Sequence, residues 1–330
     1  MAGGADPQAE RRAKRDAVTL EELIDKYLVE VAAKKKPRTL ELYNWYLKHL
    51  VRAELRAKKA AQVSAADMEK LHRDIGEDTP VTANRALVCL SGVYTFGGRH
   101  GDVPKGLNPA SGIEKFPESG RERFLSTVEL GRLGTVLTAG ESVGLKWPPR
   151  EKKSKYQRKD ENKITILSPY VTAAIRLLLF TGCRLREILN LRWTEIDFER
   201  GLLLLPDSKT GRRAVVLNAP AIELLKSLPG VGDLVIAGDD PKKPRNDLKR
   251  PWDLIKLHAE LEGVRLHDLR HTHASVGAGE GLSLPIIGKL LGHKHQDTTA
   301  RYAHLADDPT RRGSELIGAV LSGALKKRAA

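Results

Sequence analysis

The sequence predicts a mainly α protein with a small β-sheet, arranged as an N-terminal four-helix domain followed by a larger α+β domain. Three observations lead there. Capping boxes and apolar residues at helical spacing recur through the first hundred residues. A segment with three prolines and several glycines, 101–120, then breaks the periodicity. Beyond it, Leu202–Leu205 and Val215–Leu217 flank Lys209-Thr210-Gly211, the pattern of a β-hairpin.

Taken in order, residues 1–16 read as a disordered basic tail, and the helical domain occupies 17–100. Thr19-x-x-Glu22 opens the first helix, whose apolar face is Leu20, Leu23, Ile24, Tyr27, Leu28 and Val31. Lys34-Lys35-Lys36-Pro37-Arg38 interrupts it, and Thr39 starts a second helix with Leu42, Tyr46, Leu47 and Leu50 on one face. Ser64-x-x-Asp67 caps a third helix. Thr79-Pro80, a cap followed by proline in the first turn, starts a fourth that ends at Gly97-Gly98. Residues 101–120 read as a linker and 121–310 as the second domain, opened by the capping box Ser126-x-x-Glu129. Lys146 to Lys163 carries eight Lys/Arg against three acids with little periodicity, so an exposed basic insertion is expected near 141–166. A buried helix runs from Ser168 to the Thr181-Gly182 turn, another continues to Trp193, and helices resume after the hairpin from about Asp247. The last segment, 311–330, shows one apolar helix face through Leu316, Ile317, Val320, Leu321 and Leu325.

Composition narrows the function classes. The 330 residues hold 56 Lys+Arg against 42 Asp+Glu, a formal charge of +14, with basic residues distributed along the chain. That distribution suits a long polyanion touched by several surfaces better than one small ligand. Hydrophobic content of 41% excludes a largely disordered or collagen-like chain. Cys89 and Cys183 make no disulfide framework, which fits a reducing, cytoplasmic compartment. The most apolar stretch, Tyr170 to Cys183, is too short to span a bilayer and contains Arg176. No membrane partner is expected.

Four separated segments concentrate residues suited to chemistry: Thr181-Gly182-Cys183-Arg184-Leu185-Arg186-Glu187, Ser208-Lys209-Thr210-Gly211, His267-Asp268-Leu269-Arg270, and Leu291-Gly292-His293 followed by Tyr302. Two arginines from distant segments, converging, would grip the oxygens of one phosphate in fork geometry and stabilise charge building on a five-coordinate phosphorus. A tyrosine hydroxyl, with a pKa of about 10, needs a base or nearby cations to act as nucleophile. A hairpin lysine supplies a proton donor. Six of the ten histidines lie between His267 and His304, and His267 with His271 has the spacing of a zinc pair. No acid or cysteine completes such a set, and Arg270 between them repels a cation. His271 and His273 therefore read as core or supporting residues, and no metal is expected.

These segments resemble the tyrosine recombinase (phage integrase) family, whose signature is an arginine after Thr-Gly-x, a hairpin lysine, His-x-x-Arg, Leu-Gly-His and a downstream tyrosine. All five parts stand here in the family's order, with Tyr302 nine residues after His293. The resemblance extends from about Thr19 to Asp308 and implies an N-terminal four-helix SAM-like core-binding domain plus an α+β tyrosine-recombinase catalytic domain. It also implies a site-specific recombinase that cleaves and rejoins double-stranded DNA through a 3′-phosphotyrosyl bond, using no metal or other cofactor. Arg184 and Arg270 would clamp the phosphate, and His267 would take the proton of Tyr302. Lys209 would protonate the departing 5′ oxygen, His293 would hydrogen-bond the phosphate, and Tyr302 would attack. Glu187 would support the first arginine and Asp268 would orient the His-x-x-Arg segment.

Of the other basic residues, Lys34, Lys35, Lys36, Arg38, Arg186 and Arg212 are assigned to DNA contacts. The resemblance further implies a homo-tetramer on two DNA sites, joined through 311–330, with DNA-bending proteins or an excisionase as accessory partners. Only 18 residues precede Thr19, too few for the arm-binding domain of many phage integrases. The basic insertion argues for the mobile-element branch and bacterial cytoplasm. A chromosome-dimer-resolving (Xer-like) recombinase is the first alternative. A type IB topoisomerase, a non-catalytic DNA-binding protein and a zinc hydrolase follow.

Overall fold

The computed structural model describes residues 17–118, 120, 123–148, 164–208, 211–238, 240, 242–293, 295, 297–303, 314–315, 317–322 and 324. The expected basic tail at 1–16 lies outside them. The chain divides into two units, Met1–Gly120 and Arg121–Ala330, each with its own core.

The first unit is built from α1 (Leu20–Ala32), α2 (Pro37–Trp45), α3 (Ala53–Ala57), α4 (Ala65–Gly76) and α5 (Pro80–His100). Two starts follow from reciprocal caps: the Thr19 N–H donates to Glu22 at 2.7 Å while the Glu22 N–H donates to Thr19 at 3.2 Å, and Ser64 and Asp67 repeat the arrangement. Leu20, Leu23, Ile24, Leu47, Met68 and Tyr94 fill the core, where the Tyr94 hydroxyl donates to the Ala60 carbonyl at 3.0 Å.

Two expectations need correction here. The second helix does not continue regularly to Leu50: from Tyr46 to Leu50 it widens into a π turn, so the apolar face slips and only Leu47 is buried while Leu42 is exposed. Residues 101–120 are not a free linker either. Val103 and Ala110 join the core of the first unit, and Phe116 stacks on His72 with ring centroids 4.6 Å apart. Buried Asn84 accepts the Phe116 N–H at 3.0 Å and donates to the Phe116 carbonyl at 2.9 Å, fastening the segment to α5.

The second unit contains α6 (Thr127–Ser142), α7 (Pro169–Thr181), α8 (Leu185–Leu189), α9 (Ala219–Ser227), α10 (Lys249–His258), α11 (Asp268–Gly279), α12 (Leu284–Leu291) and α13 (Asp297–Ala300). β1 (Leu145–Lys146) pairs antiparallel with β2 (Ile164–Thr165), forming the base of the segment read as a basic insertion. Residues 149–163 of that segment lie outside the described residues. A three-stranded antiparallel sheet runs in order β3 (Ile196–Asp197), β4 (Leu202–Ser208), β5 (Gly211–Val216). The helix expected to reach Trp193 stops earlier, at Leu189, and a 3-10 turn at Trp193–Glu195 leads into the outer strand β3. Helix α7 is the spine, with Ile175, Leu177 and Leu178 fully buried. The Leu125 N–H donates to the Thr272 hydroxyl at 2.9 Å, and that hydroxyl donates to the Asp268 carbonyl at 2.8 Å, tying the entry of this unit to α11. Among the described residues no helix is long and apolar enough to cross a membrane.

Candidate active site

Two glycine turns frame the site. Helix α7 ends at Gly182, whose φ of 61° is left-handed and whose absent Cβ leaves room for His273 and Leu291, each with an atom 2.8 Å from where that carbon would stand. Helix α12 ends at Gly292 with φ of 68°, and a Cβ there would collide with the Arg213 guanidinium. The turns present the carbonyls of Gly182 and Leu291 toward each other. Arg270, on the first turn of α11 and 4% exposed, spans them: Nη1 donates to Gly182 at 2.6 Å and Nη2 to Leu291 at 2.8 Å. Arg213, from β5, donates to the same Leu291 carbonyl and lies 3.8 Å from the Cys183 sulfur. Burial and then the neighbouring Arg184 and Arg213 push the Arg270 pKa down to about 10, so it remains charged at neutral pH.

Arg184 follows the first turn and immediately precedes α8. Glu187, inside that helix, accepts the Arg184 backbone N–H and its Nη1, both at 2.8 Å. The carboxylate is 6% exposed, so it sets the direction of the arginine from below. Arg186 points to solvent. Asp268 is fully buried and accepts the Arg265 N–H at 2.8 Å, pinning the start of α11.

Tyr302 is 5% exposed and packed against Ala274, Ala278, Ile287 and Leu291. Burial raises its pKa, with Arg301 and Arg270 opposing that shift. The ring on its hydroxyl is not His267. His271 Nδ1 lies 2.6 Å from the Tyr302 oxygen, whereas His267 is exposed at the N-cap of α11 and meets the His271 ring edge-on at 5.0 Å. The two histidines share one face of α11, and His271, one turn further into the helix than the N-cap His267, is the one that reaches Tyr302. His271 is held down to about 4 by burial, then by His267 and Arg301, so its ring is neutral at ordinary pH.

His293 follows the second turn. Its Nδ1 and the Thr299 hydroxyl are 2.8 Å apart, fixing the ring so that its Nε2 edge faces away from α13. Burial, then Arg270 and Arg184, lowers its pKa to about 4. His273 Nδ1 is 2.8 Å from the Leu179 carbonyl, a supporting contact for α7. Lys209 lies outside the described residues, between the ends of β4 and β5. Arg212 is exposed on β5, and Lys34, Lys35, Lys36 and Arg38 are exposed in the first unit. Among the described residues no group of three His, Cys, Asp or Glu side chains is arranged to hold a metal ion.

The second unit thus brings together Arg184, Arg270, His267, His293 and Tyr302, with Glu187 and Asp268 beneath them. Sequence reasoning gave no direct part in the site to two contributors: His271, read as a core or supporting residue, and Arg213. The first had a signal, its place directly after Arg270 and four residues after His267. The second had none beyond following the hairpin glycine.

The chain resembles known proteins in sequence and in fold. Residues 159–308 match the model of the phage integrase family. Tyrosine recombinase XerA of Thermococcus onnurineus is 25% identical over 292 residues, covering 85% of this chain and 89% of that protein. The shufflon-specific DNA recombinase of Escherichia coli is 26% identical over 301 residues, 87% of this chain and 69% of that protein. In fold, a lambda integrase dimer bound to a COC′ core site superimposes with a TM-score of 0.68 at 19% identity, covering 92% of this chain and 82% of that one. The Tn1549 transposon integrase gives 0.69 at 16% identity over 91% and 100%. The chain is thus similar to tyrosine recombinases over most of its own length and theirs, and its segment 159–308 is a phage integrase family domain.

Proposed function

We propose that this protein is a site-specific DNA integrase that breaks and rejoins strands through Tyr302, moving a mobile element. The observation that carries this reading is the cluster of three guanidiniums, Arg184, Arg213 and Arg270, in which burial and then mutual repulsion lower the Arg270 pKa. Such a cluster is stabilised by an anion bound among it. Arg270 spends two N–H groups on the carbonyls of Gly182 and Leu291, and a guanidinium has five. The remainder, with Arg184, would hold the non-bridging oxygens of one phosphodiester, and His267 and the Nε2 edge of His293 would donate to the same group.

The Tyr302 oxygen would attack phosphorus from a site excluding bulk water. The P–O5′ bond then breaks, and Lys209 gives the leaving oxygen its proton. The phosphotyrosyl ester conserves the energy of the cleaved bond, so rejoining needs no nucleotide. Lys34, Lys35, Lys36, Arg38, Arg186 and Arg212 would hold the flanking duplex. Assembly as a tetramer through 311–330 is supported by exposed Ile317, Val320 and Leu321 and by an apolar groove of about 700 Å³ lined by Leu130, Leu133, Phe180, Val276 and Leu282. The protein would act in the cytoplasm on the chromosome, with a DNA-bending protein or an excisionase as accessory partner. A second reading, a chromosome-dimer-resolving recombinase, is favoured by the alignment with XerA over most of both chains.

The test is covalent capture. Wild-type protein is incubated with a randomised library of nicked duplexes, and the adducts are sequenced to define a site. Tyr302→Phe is expected to yield no adduct on that site while still shifting it in a gel. Adduct formed by the variant would overturn the assignment.

A further inference from the structure

We infer that His271 is the group that removes the phenolic proton of Tyr302, and so is a catalytic residue of the cleavage step. The inference rests on the reading of Tyr302 as nucleophile and adds the base that reading lacks. The Nδ1 of His271 is 2.6 Å from the Tyr302 oxygen, a hydrogen-bond length, with the two ring centroids 5.9 Å apart. Tyr302 is 5% exposed and packed on α11 and α12, so water does not compete freely for its proton. His271 is half-buried on α11, one residue past Arg270. The same helix therefore aims the arginine at the phosphate and the imidazole at the nucleophile. A base and a clamp on one rigid turn keep their relative positions when DNA arrives.

The step balances without another reactant. The Tyr302 O–H bond breaks and its proton moves to Nδ1 of His271, which becomes an imidazolium with the Nε2 proton it already carried. The Tyr302 oxygen bonds phosphorus, and the 5′ oxygen leaves with a proton from Lys209. On rejoining, the 5′ hydroxyl attacks phosphorus and His271 returns its proton to the departing phenolate. The groups facing His271 are His267, Asp268 and Arg270 on its own helix, Arg301 and Tyr302 beyond α13. Burial lowers its basicity most in the DNA-free protein, followed by His267 and Arg301, with Arg270 a smaller contributor. A phosphodiester bound at Arg270 offsets that last charge and makes the ring a somewhat stronger base when substrate is present. His267 meets this ring edge-on at 5.0 Å.

The test uses the full chain and the duplex captured by wild type, made in two forms, one with the ordinary 5′ oxygen at the scissile bond and one with bridging sulfur. Sulfur leaves without a proton, so it bypasses the acid and not the base. His271→Ala and His271→Gln are compared with wild type. Gln keeps an acceptor for the hydroxyl but takes no proton, which separates basicity from positioning. Both variants are expected to form adduct at least a hundredfold more slowly on either duplex, in line with loss of a general base. Added imidazole is expected to restore at least tenfold of the alanine loss, a response that a purely structural role does not give. Rates within threefold of wild type, rates faster than wild type, or full recovery on the sulfur duplex would each overturn the inference. Adduct from Tyr302→Phe would instead overturn the underlying reading, so the two failures are distinguishable.

Discussion

Arg270 shows how one residue carries both structure and chemistry. A buried cation is costly unless its donors are met, and two of them are met by the carbonyls that the turns at Gly182 and Gly292 expose. The motif glycines are thus required by geometry: both have left-handed φ, and both lack a Cβ where a neighbouring side chain stands. Arg213 shares the Leu291 carbonyl and holds the same turn. Arg213→Lys keeps the charge and loses the planar fork, so the turn before His293 loosens while the long-range attraction to DNA remains. Adduct formation is expected to fall about tenfold, the equivalent of one charge-assisted hydrogen bond at the low end of its range. The salt dependence of DNA binding should stay at the wild-type slope. A parallel drop in that slope would mean that Arg213 is a DNA contact instead. The signature residues are legible in the sequence because their order along the chain is itself the signal. Arg213 and His271 are not, because their roles depend on which carbonyl or hydroxyl the fold brings beside them.

At the level of elements, local signals are readable and non-local ones mislead. The caps at Thr19, Ser64 and Ser126 each lie within three residues of their partners, and all three form. The hairpin follows from its turn residues, while β3 escapes because two residues carry no period to detect. Segment 101–120 reads as a linker because glycine and proline mark changes of direction, and they say nothing about whether the chain then packs. It packs through Asn84, whose side chain is 1% exposed and also lies 2.9 Å from His72 Nε2. Asn84→Ala leaves the N–H and carbonyl of Phe116 without their partner and orphans the histidine ring. A loss of about 1–3 kcal/mol is expected in the unfolding of the first unit by urea. Asn84→Asp keeps the acceptor for the Phe116 N–H and loses the donor to its carbonyl, so it should fall between alanine and wild type. Equal stability of alanine and wild type would return 101–120 to the status of a passive connector.

For the molecule as a whole, the charge of +14 divides between a local and a distributed role. Three guanidiniums are drawn into one site in the second unit, where they act over bond lengths. The run Lys34 to Arg38 lies in the other unit, exposed, where it would act on a polyanion through the ionic atmosphere. Two of its members already have partners: Lys34 with Glu30 at 2.5 Å and Arg38 with Glu41 at 2.7 Å. Exposed pairs of this kind are worth roughly 0–1 kcal/mol, less than a phosphate contact recovers by releasing counterions, so a duplex bound there would displace the carboxylates. Replacing Lys34, Lys35, Lys36 and Arg38 together by alanine is therefore expected to weaken binding most at low salt. The slope of log affinity against log salt should become shallower by about 0.9 for each phosphate that the variant no longer neutralises. The rate of adduct formation at saturating protein should remain within about threefold of wild type, because none of these residues belongs to the unit that holds Tyr302. A slope left unchanged by the fourfold substitution would place the duplex on another face of the first unit. A large fall in the saturated rate would instead mean that the run helps bring the scissile phosphate to Arg184 and Arg270.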